Sequence, residues 1–326
     1  MSAAPNITGI GVAFVDVIAN VTDDFLSAHN LNKSTTTIVD THKMGYLLES
    51  LENPLIIPGG STANLLCGLA THGHKSTFIG RTGDDSYGAI FRNAFSAYGI
   101  NFENDRLAGR TTSLCMTLVT PDYERSFVVS NHAAGYALKP QDLPALPDSE
   151  DIYICIEANM ALAPSGCHLD ESVLAAALIN YGQSKRRLII GLNDRDILQT
   201  GLPLLQQALT FGNTMIMGNM NEFLGLFQEH DMALAFGMAQ ATGREFIVTN
   251  GADGIYIVTA RDIEHVPAIP VTDGMIINTV GAGDQFAAGF IAGMVAGLSY
   301  REAAQQGAED AAAIIRQAGA RPPAAP

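Results

Sequence analysis

Apolar and polar positions along the chain alternate in short runs through the first part and fall into a regular strand–helix rhythm from Asp151 onward. Residues 7–19 (ITGIGVAFVDVIA) read as a β-rich run with glycine punctuation, a strand entering a bend near Asp16. Residues 23–40 combine a short helical pattern with a β-branched run from Ser34 to Val39, and residues 41–52 (THKMGYLLESLE) have the spacing of an amphipathic helix. LIIPGGSTANLLCGLATHG predicts strand, glycine turn and helix, STFIGRTGDD a strand ending in a turn, and SYGAIFRNAFSAYG another helix. In residues 111–131 the alternation crosses a Pro-Asp turn, which signals a β-hairpin whose exposed face belongs to an outlying sheet.

After Asp151 come a strand at IYICIE, a helix at LDESVLAAALINYG, a strand at RRLIIGLN and a helix near residues 200–211. A strand at TMIMGN, helices through about residue 242 and a strand at EFIVTN follow. Strands alternating with helices imply an α/β fold whose mostly parallel sheet is covered by helices on both faces. There is no internal repeat and no linker long enough to separate independent domains, and the tail RPPAAP reads as an unstructured end. These elements predict a single domain over residues 1–326, with a small β-sheet lid formed by insertions around 15–40 and 108–131.

Composition narrows the partners. A hydrophobic fraction of 47% with 16% charged residues suits a buried core rather than disorder. The net charge of -15, from 18 Lys+Arg against 33 Asp+Glu, is a poor match for nucleic acid or an anionic membrane. An anionic ligand must then be held by backbone N–H groups, a metal ion or a few placed basic residues. The four cysteines (Cys67, Cys115, Cys155, Cys167) show no CxxC spacing and read as buried free thiols. No basic leader precedes the first apolar stretch, and Phe286 to Leu298 is too short to span a bilayer, so a soluble, cytoplasmic protein is expected, with monomer and homodimer both open.

The sharpest chemical signal is NTVGAGDQFAAGFIAGMVAG, residues 278–297. Gly281, Ala282 and Gly283 leave the backbone uncovered just before a helix, whose positive end favours a phosphoryl oxygen. Asp284 stands at the mouth of that turn, where a carboxylate can accept the proton of an attacking hydroxyl. Taken alone, the same residues are also a turn with an ordinary Asp N-cap.

The stretch resembles the D/N-T-x-G-A-G-D-x-F signature of the ribokinase-like (PfkB) carbohydrate and nucleoside kinases, here Asn278, Thr279, Gly281, Ala282, Gly283, Asp284 and Phe286. A second signature of that superfamily, a double-glycine turn followed by Asn and two later glycines, resembles residues 58–88. The resemblance implies a ribokinase-like fold, ATP as co-substrate, Asp284 as catalytic base and the 281–284 backbone as an anion hole. GNMNE resembles the family's N-x-x-E motif, which implies that Asn219 and Glu222 organise water around Mg²⁺. VTNGADGIYIV resembles the strand-turn in which Thr249 and Gly251 approach the ATP phosphates and Gly254 permits the next turn; by itself it is a plain hairpin. No Gly-Lys dipeptide, HExxH or GxSxG occurs, so the P-loop and the common hydrolase motifs are excluded. His72 and His74 form an HxH pair without a third ligand candidate and read as a solvated helix end.

Within the superfamily the chain is most similar to the adenosine kinases, through GVAFVDVIANVTDDFLSAHNL, GGSTAN and AAAIIRQAGARPP. The resemblance implies that Asp16 accepts hydrogen bonds from two ribose hydroxyls, that Gly60 lets the sugar approach and that Asn64 binds a ribose hydroxyl. Arg125, on the hairpin turn, resembles a lid arginine that reaches substrate or phosphate, and is equally readable as a solvated turn residue. Asp84 and Asp85 read as structural. EANMALAP (157–164) departs from the adenosine kinases, which tend to place aromatic residues there; here stand Asn159 and Met160, and resemblance to related bacterial kinases with an acidic residue at the position of Glu157 implies that it reads a base or sugar hydroxyl. The expected reaction is phosphotransfer from ATP to a hydroxymethyl group of a nucleoside, the 5′-OH of adenosine first, with a ribose or fructose kinase as the alternative. A non-catalytic nucleoside-binding protein would have lost a motif residue, and none is missing.

Overall fold

The apolar run at residues 7–19 is two strands rather than one. A computed structural model describes residues 6–102, 104, 106–122, 124–130, 132–193 and 195–324. In it β1 (Asn6–Ile10) and β2 (Phe14–Asn20) belong to different sheets. The bend expected near Asp16 falls at residues 11–13. The reason is tertiary: Val12 N–H donates to the Glu157 carboxylate at 3.4 Å, and a side chain at Gly11 would collide with that same carboxylate. Tyr123 and Asn131 of the expected hairpin, the first five residues and the last two of the tail lie outside the described residues.

The chain continues through α1 (Asp23–Ala28), β3 (Thr36–Val39), α2 (Thr41–Glu49), β4 (Leu55–Pro58), α3 (Ser61–Thr71), β5 (Ser76–Ile79) and α4 (Ser86–Tyr98). The short β6 (Asn101–Phe102) precedes the antiparallel pair β7 (Ser113–Val119) and β8 (Arg125–Ser130). The regular half runs β9 (Ile152–Glu157), α5 (Val173–Tyr181), β10 (Arg187–Gly191), α6 (Arg195–Ala208), β11 (Thr214–Asn219), α7 (Met220–Phe227), α8 (Met232–Thr242) and β12 (Glu245–Thr249). It closes with β13 (Ile255–Val258), β14 (Ile263–Val266), α9 (Ala282–Val295) and α10 (Tyr300–Ile314).

The larger sheet has nine strands in the order β14-β13-β12-β11-β10-β9-β1-β5-β6. It is parallel from β12 to β6, and β13 and β14 turn antiparallel at one edge. Its strands are short and apolar throughout because both faces are covered. Ile189, Met215 and Ile247 point into a core shared with α3, α9 and α10; Ile190, Ile216 and Phe246 point into a second core with α5 to α8. The smaller sheet, ordered β3-β8-β7-β2-β4, draws on the two expected segments and also on β4, from outside them. In the larger sheet the strand order reverses between β1 and β9, and such a reversal opens a crevice at the carboxyl ends of the strands.

Three local expectations need correction. The tail is anchored at its start: Arg321 packs over Phe91 and Phe95, and the Pro322 carbonyl accepts a hydrogen bond from the Tyr98 hydroxyl. His72 is a cap rather than a loose helix end, paired with Asp310 of α10 at 2.6 Å, and that bond raises its pKa. Of the four free thiols, Cys67 and Cys155 are buried while Cys115 and Cys167 are only half-buried. Asp85 does serve structure, capping α4 through Gly88 N–H and accepting from Thr112 N–H, both at 2.7 Å. Among the described residues no helix is long and apolar enough to cross a membrane.

Candidate active site

The carboxyl ends of β9 to β12 and the tip of α9 face the smaller sheet across a cavity of about 570 Å³. Asp16, Gly60, Asn64, Arg125, Asn219, Glu222, Thr249, Gly281, Gly283 and Asp284 all line it. Ala282, Gly251 and Gly254 do not. Residues spread over most of the chain therefore meet in one crevice, at the place the strand reversal provides.

At the tip of α9, Gly281 has φ +82° and abuts Ala320 so closely that no side chain fits. Ala282 N–H donates to the Thr279 carbonyl at 3.3 Å, whereas no described residue accepts from the N–H groups of Gly281, Gly283 or Asp284. Unpaired N–H groups at a helix start form an anion site. Ala282 thus closes the turn, and the donors come from its neighbours.

Asp284 is the third residue of α9. Its Oδ1 accepts from Ser61 Oγ at 2.6 Å and its Oδ2 from Asn64 Nδ2 at 2.8 Å. Removal from water raises its pKa, and those two hydrogen bonds together with the charge of Arg321 pull it part of the way back. A carboxylate whose proton affinity is raised by burial while two donors hold it in place suits acceptance of a proton from a hydroxyl.

Asp16 lies across the cavity on β2, its carboxyl over Gly59. Burial pushes it up to about 7, with Arg321 opposing and the charge of Asp284 adding to the rise. The double-glycine turn is sterically required: a side chain at Gly59 would collide with the Asp16 carboxyl, and Gly60, at φ +90°, would set a Cβ 2.7 Å from the Val12 carbonyl. Asn64 is committed at both ends, since its Oδ1 accepts from Arg321 Nε at 2.9 Å.

Asn219 and Glu222 form a reciprocal capping box at the start of α7, with bonds of 3.0 and 2.9 Å. Both still line the cavity, as does Thr249 at the end of β12. Gly251 and Gly254 shape the turn into β13, at φ +55° and +99°. Arg125 Nη1 donates to Thr279 Oγ1 at 3.2 Å, joining the smaller sheet to the loop before α9.

Glu157 is buried, and Thr62 N–H donates to its Oε1 at 2.9 Å; burial raises its pKa while its donors, Asn159 among them, lower it. It braces the β1–β2 crossing against α3. Asn159, also buried, lines the cavity with an Oδ1 that has no hydrogen-bond partner. Residues 157–164 bring no aromatic side chain to the cavity, while Phe14, Phe127 and Tyr136 line it from other elements. Sequence reasoning did not single out those three, Ser61 or Arg321. Ser61 had a signal in its place directly after the double glycine; Arg321 lay inside the AAAIIRQAGARPP segment that resembles the adenosine kinases, but nothing in that segment marked it apart from its neighbours.

Residues 45–326 match the pfkB family carbohydrate kinase, and the chain belongs to that family. It is an ATP-dependent kinase. Adenosine kinase 2 of Arabidopsis thaliana is 25% identical over 338 residues, covering 98% of this chain and 96% of that protein. A fructokinase of Klebsiella pneumoniae is 28% identical over 251 residues, covering 73% and 77%. Among solved structures, the adenosine kinase from Sinorhizobium meliloti superposes with a TM-score of 0.85 at 26% identity, over 98% of this chain and 96% of that one. The fold is ribokinase-like, a large mixed sheet flanked by helices.

Proposed function

We propose that the chain transfers the γ-phosphoryl group of ATP to a hydroxymethyl group of a nucleoside, the 5′-OH of adenosine first among the candidates. The observation that carries this reading is the Asp284 carboxylate, held by Ser61 and Asn64 at the tip of α9, in one cavity with Asp16. Asp284 accepts the proton of the attacking hydroxyl. The N–H groups of Gly281, Gly283 and Asp284 face the charge that develops on the transferring group. Asp16 accepts hydrogen bonds from the vicinal hydroxyls of the ribose. Phe14, Phe127 and Tyr136 offer apolar faces for a base, and the unpartnered Oδ1 of Asn159 calls for an N–H or O–H donor on the ligand. Likeness to adenosine kinases over 98% of the chain supports the same choice.

Glu222 and Asn219 offer hard oxygens on the cavity wall, and among the described residues no cluster of three or more acidic, His or Cys side chains could cage a metal. Such a sparse donor set fits Mg²⁺, which keeps several waters and shares phosphate oxygens. When bound there, Mg²⁺ would neutralise phosphate charge.

Asp284→Asn tests the base. Turnover should fall about 1,000-fold in an ADP-release assay, with ATP binding retained by calorimetry; a variant keeping most of its activity rejects the role. The likeness to fructokinases favours a second reading, a free-sugar kinase. A panel of adenosine, other nucleosides, ribose and fructose separates the two by kcat/KM.

A further inference from the structure

After α10 the chain returns to the cavity it has already built. We propose that Arg321 is a positioning residue for phosphoryl transfer: it orients the Asn64 amide toward Asp284 and clamps the double-glycine turn beneath Asp16. The inference rests on Asp284 being the general base.

The geometry is a relay. An Asn amide has one accepting and one donating end, and Arg only donates. Arg321 Nε donates to Asn64 Oδ1 at 2.9 Å, which turns Nδ2 toward Asp284 Oδ2 at 2.8 Å. With the amide reversed, Oδ1 would oppose the Asp284 carboxylate, acceptor against acceptor. The second arm of the guanidinium, Nη2, donates to the Gly59 carbonyl at 2.7 Å, directly before the turn on which the Asp16 carboxyl rests. A planar fork serves both acceptors at once, which a lysine ammonium on a flexible stem cannot do in the same geometry.

The plane of that fork is itself fixed. Phe91 and Phe95 lie 5.4 and 5.3 Å from the guanidinium carbon. The preceding residue is tied down as well: Gln285, next to the base, donates through Nε2 to both the Asn64 and the Ala320 carbonyls at 2.9 Å. The tail, α3 and the tip of α9 are thereby locked together around Asp284. Arg321 Nη1 is buried without an acceptor, a costly arrangement for a residue whose only task is to hold down a chain end. Its charge also opposes the rise in proton affinity of both Asp16 and Asp284.

The test uses the full chain with Arg321→Met, Arg321→Lys, Asn64→Ala and the Asn64→Ala/Arg321→Met pair. Arg321→Met should lower kcat about 100-fold while KM for ATP stays within about two-fold. The pair should be slower than Asn64→Ala alone by much less than the loss in Arg321→Met, because the arginine acts chiefly through that amide and only secondarily through the Gly59 carbonyl and its charge. The groups facing Asp284 are Ser61 and Asn64 from α3, Asp16 from β2 and Arg321. Loss of the one cation among them should move the acid limb of the kcat–pH profile to higher pH, and Arg321→Lys should keep most of that limb while recovering only part of kcat. Parental kcat and pH limb in Arg321→Met, or fully multiplicative losses in the pair, overturn the proposal. Should Arg321→Met fail to fold, Arg321→Lys with and without Asn64→Ala measures the same coupling. Asp284→Asn assayed alongside distinguishes the failures: an active Asp284→Asn removes the base itself, whereas an inactive one beside an unaffected Arg321→Met removes only the relay.

Discussion

Asp16 sits within β2 at 8% exposure, and its carboxylate accepts no hydrogen bond from a described residue. Its folded pKa of about 7, against an ordinary 3.8, means that the folded chain holds a proton which the unfolded chain has released across the interval between them. Stability contributed by that proton is full below the lower value, declines as pH rises through the interval, and is gone above the upper one. Asp16→Asn, uncharged and nearly isosteric, should therefore raise the Tm of the ligand-free protein at pH 8 by about 2 °C or more, with little change at pH 4. The same variant should raise KM for the acceptor, since a carboxylate accepting two hydroxyls becomes an amide with one accepting end. Thermal melts at the two pH values check this. An equal gain at both, or a loss at pH 8, would show that the burial of Asp16 is compensated by partners in solution. A carboxyl buried at a cost to stability is the form expected of a residue placed for binding rather than for folding.

Helix α9 carries Asp284 at its tip, and its position depends on how closely α10 approaches. A Cβ on Gly289 would lie 2.8 Å from the Gly307 Cα, and one on Gly293 would lie 2.9 Å from Ala303. These two glycines stand four apart on one face, so the helices meet backbone to backbone. Gly307→Val should destabilise by about 1–3 kcal/mol in urea titration. It should also lower kcat, because the new side chain meets Phe286, two residues from the base. Lost stability with unchanged kcat would separate the packing from the catalytic tip. Most elements at this scale were legible because their signals are local: strand runs such as EFIVT, the double glycine before α3 and the glycines before α9. The division of residues 7–19 into two strands was not, because its cause, the Glu157 carboxylate, lies on β9. The role of the tail was hidden for the same reason, since nothing in RPPAAP announces partners on α3 and α4.

At the scale of the molecule, the candidate site is the seam between the two sheets. The residues that the family signatures mark reach it from strand ends and helix starts far apart in sequence. The signatures identify these residues, but only the topology shows that Asn64 bonds Asp284 at the cavity wall and that Gly251 and Gly254 stay outside. One consequence follows from the whole charge. At -15 the protein repels a phosphate-bearing co-substrate at long range, while the backbone donors at the tip of α9 act only on contact. Screening shortens that repulsion, from about 30 Å at 0.01 M ionic strength to about 8 Å at 0.15 M. Over that range kcat/KM for ATP should rise about two-fold, while kcat/KM for an uncharged nucleoside stays level, as initial rates at fixed pH and magnesium would reveal. A fall with salt would mean that a local positive field, with Arg125 at its centre, draws the nucleotide in despite the acidic surface, and that net charge does not govern the encounter.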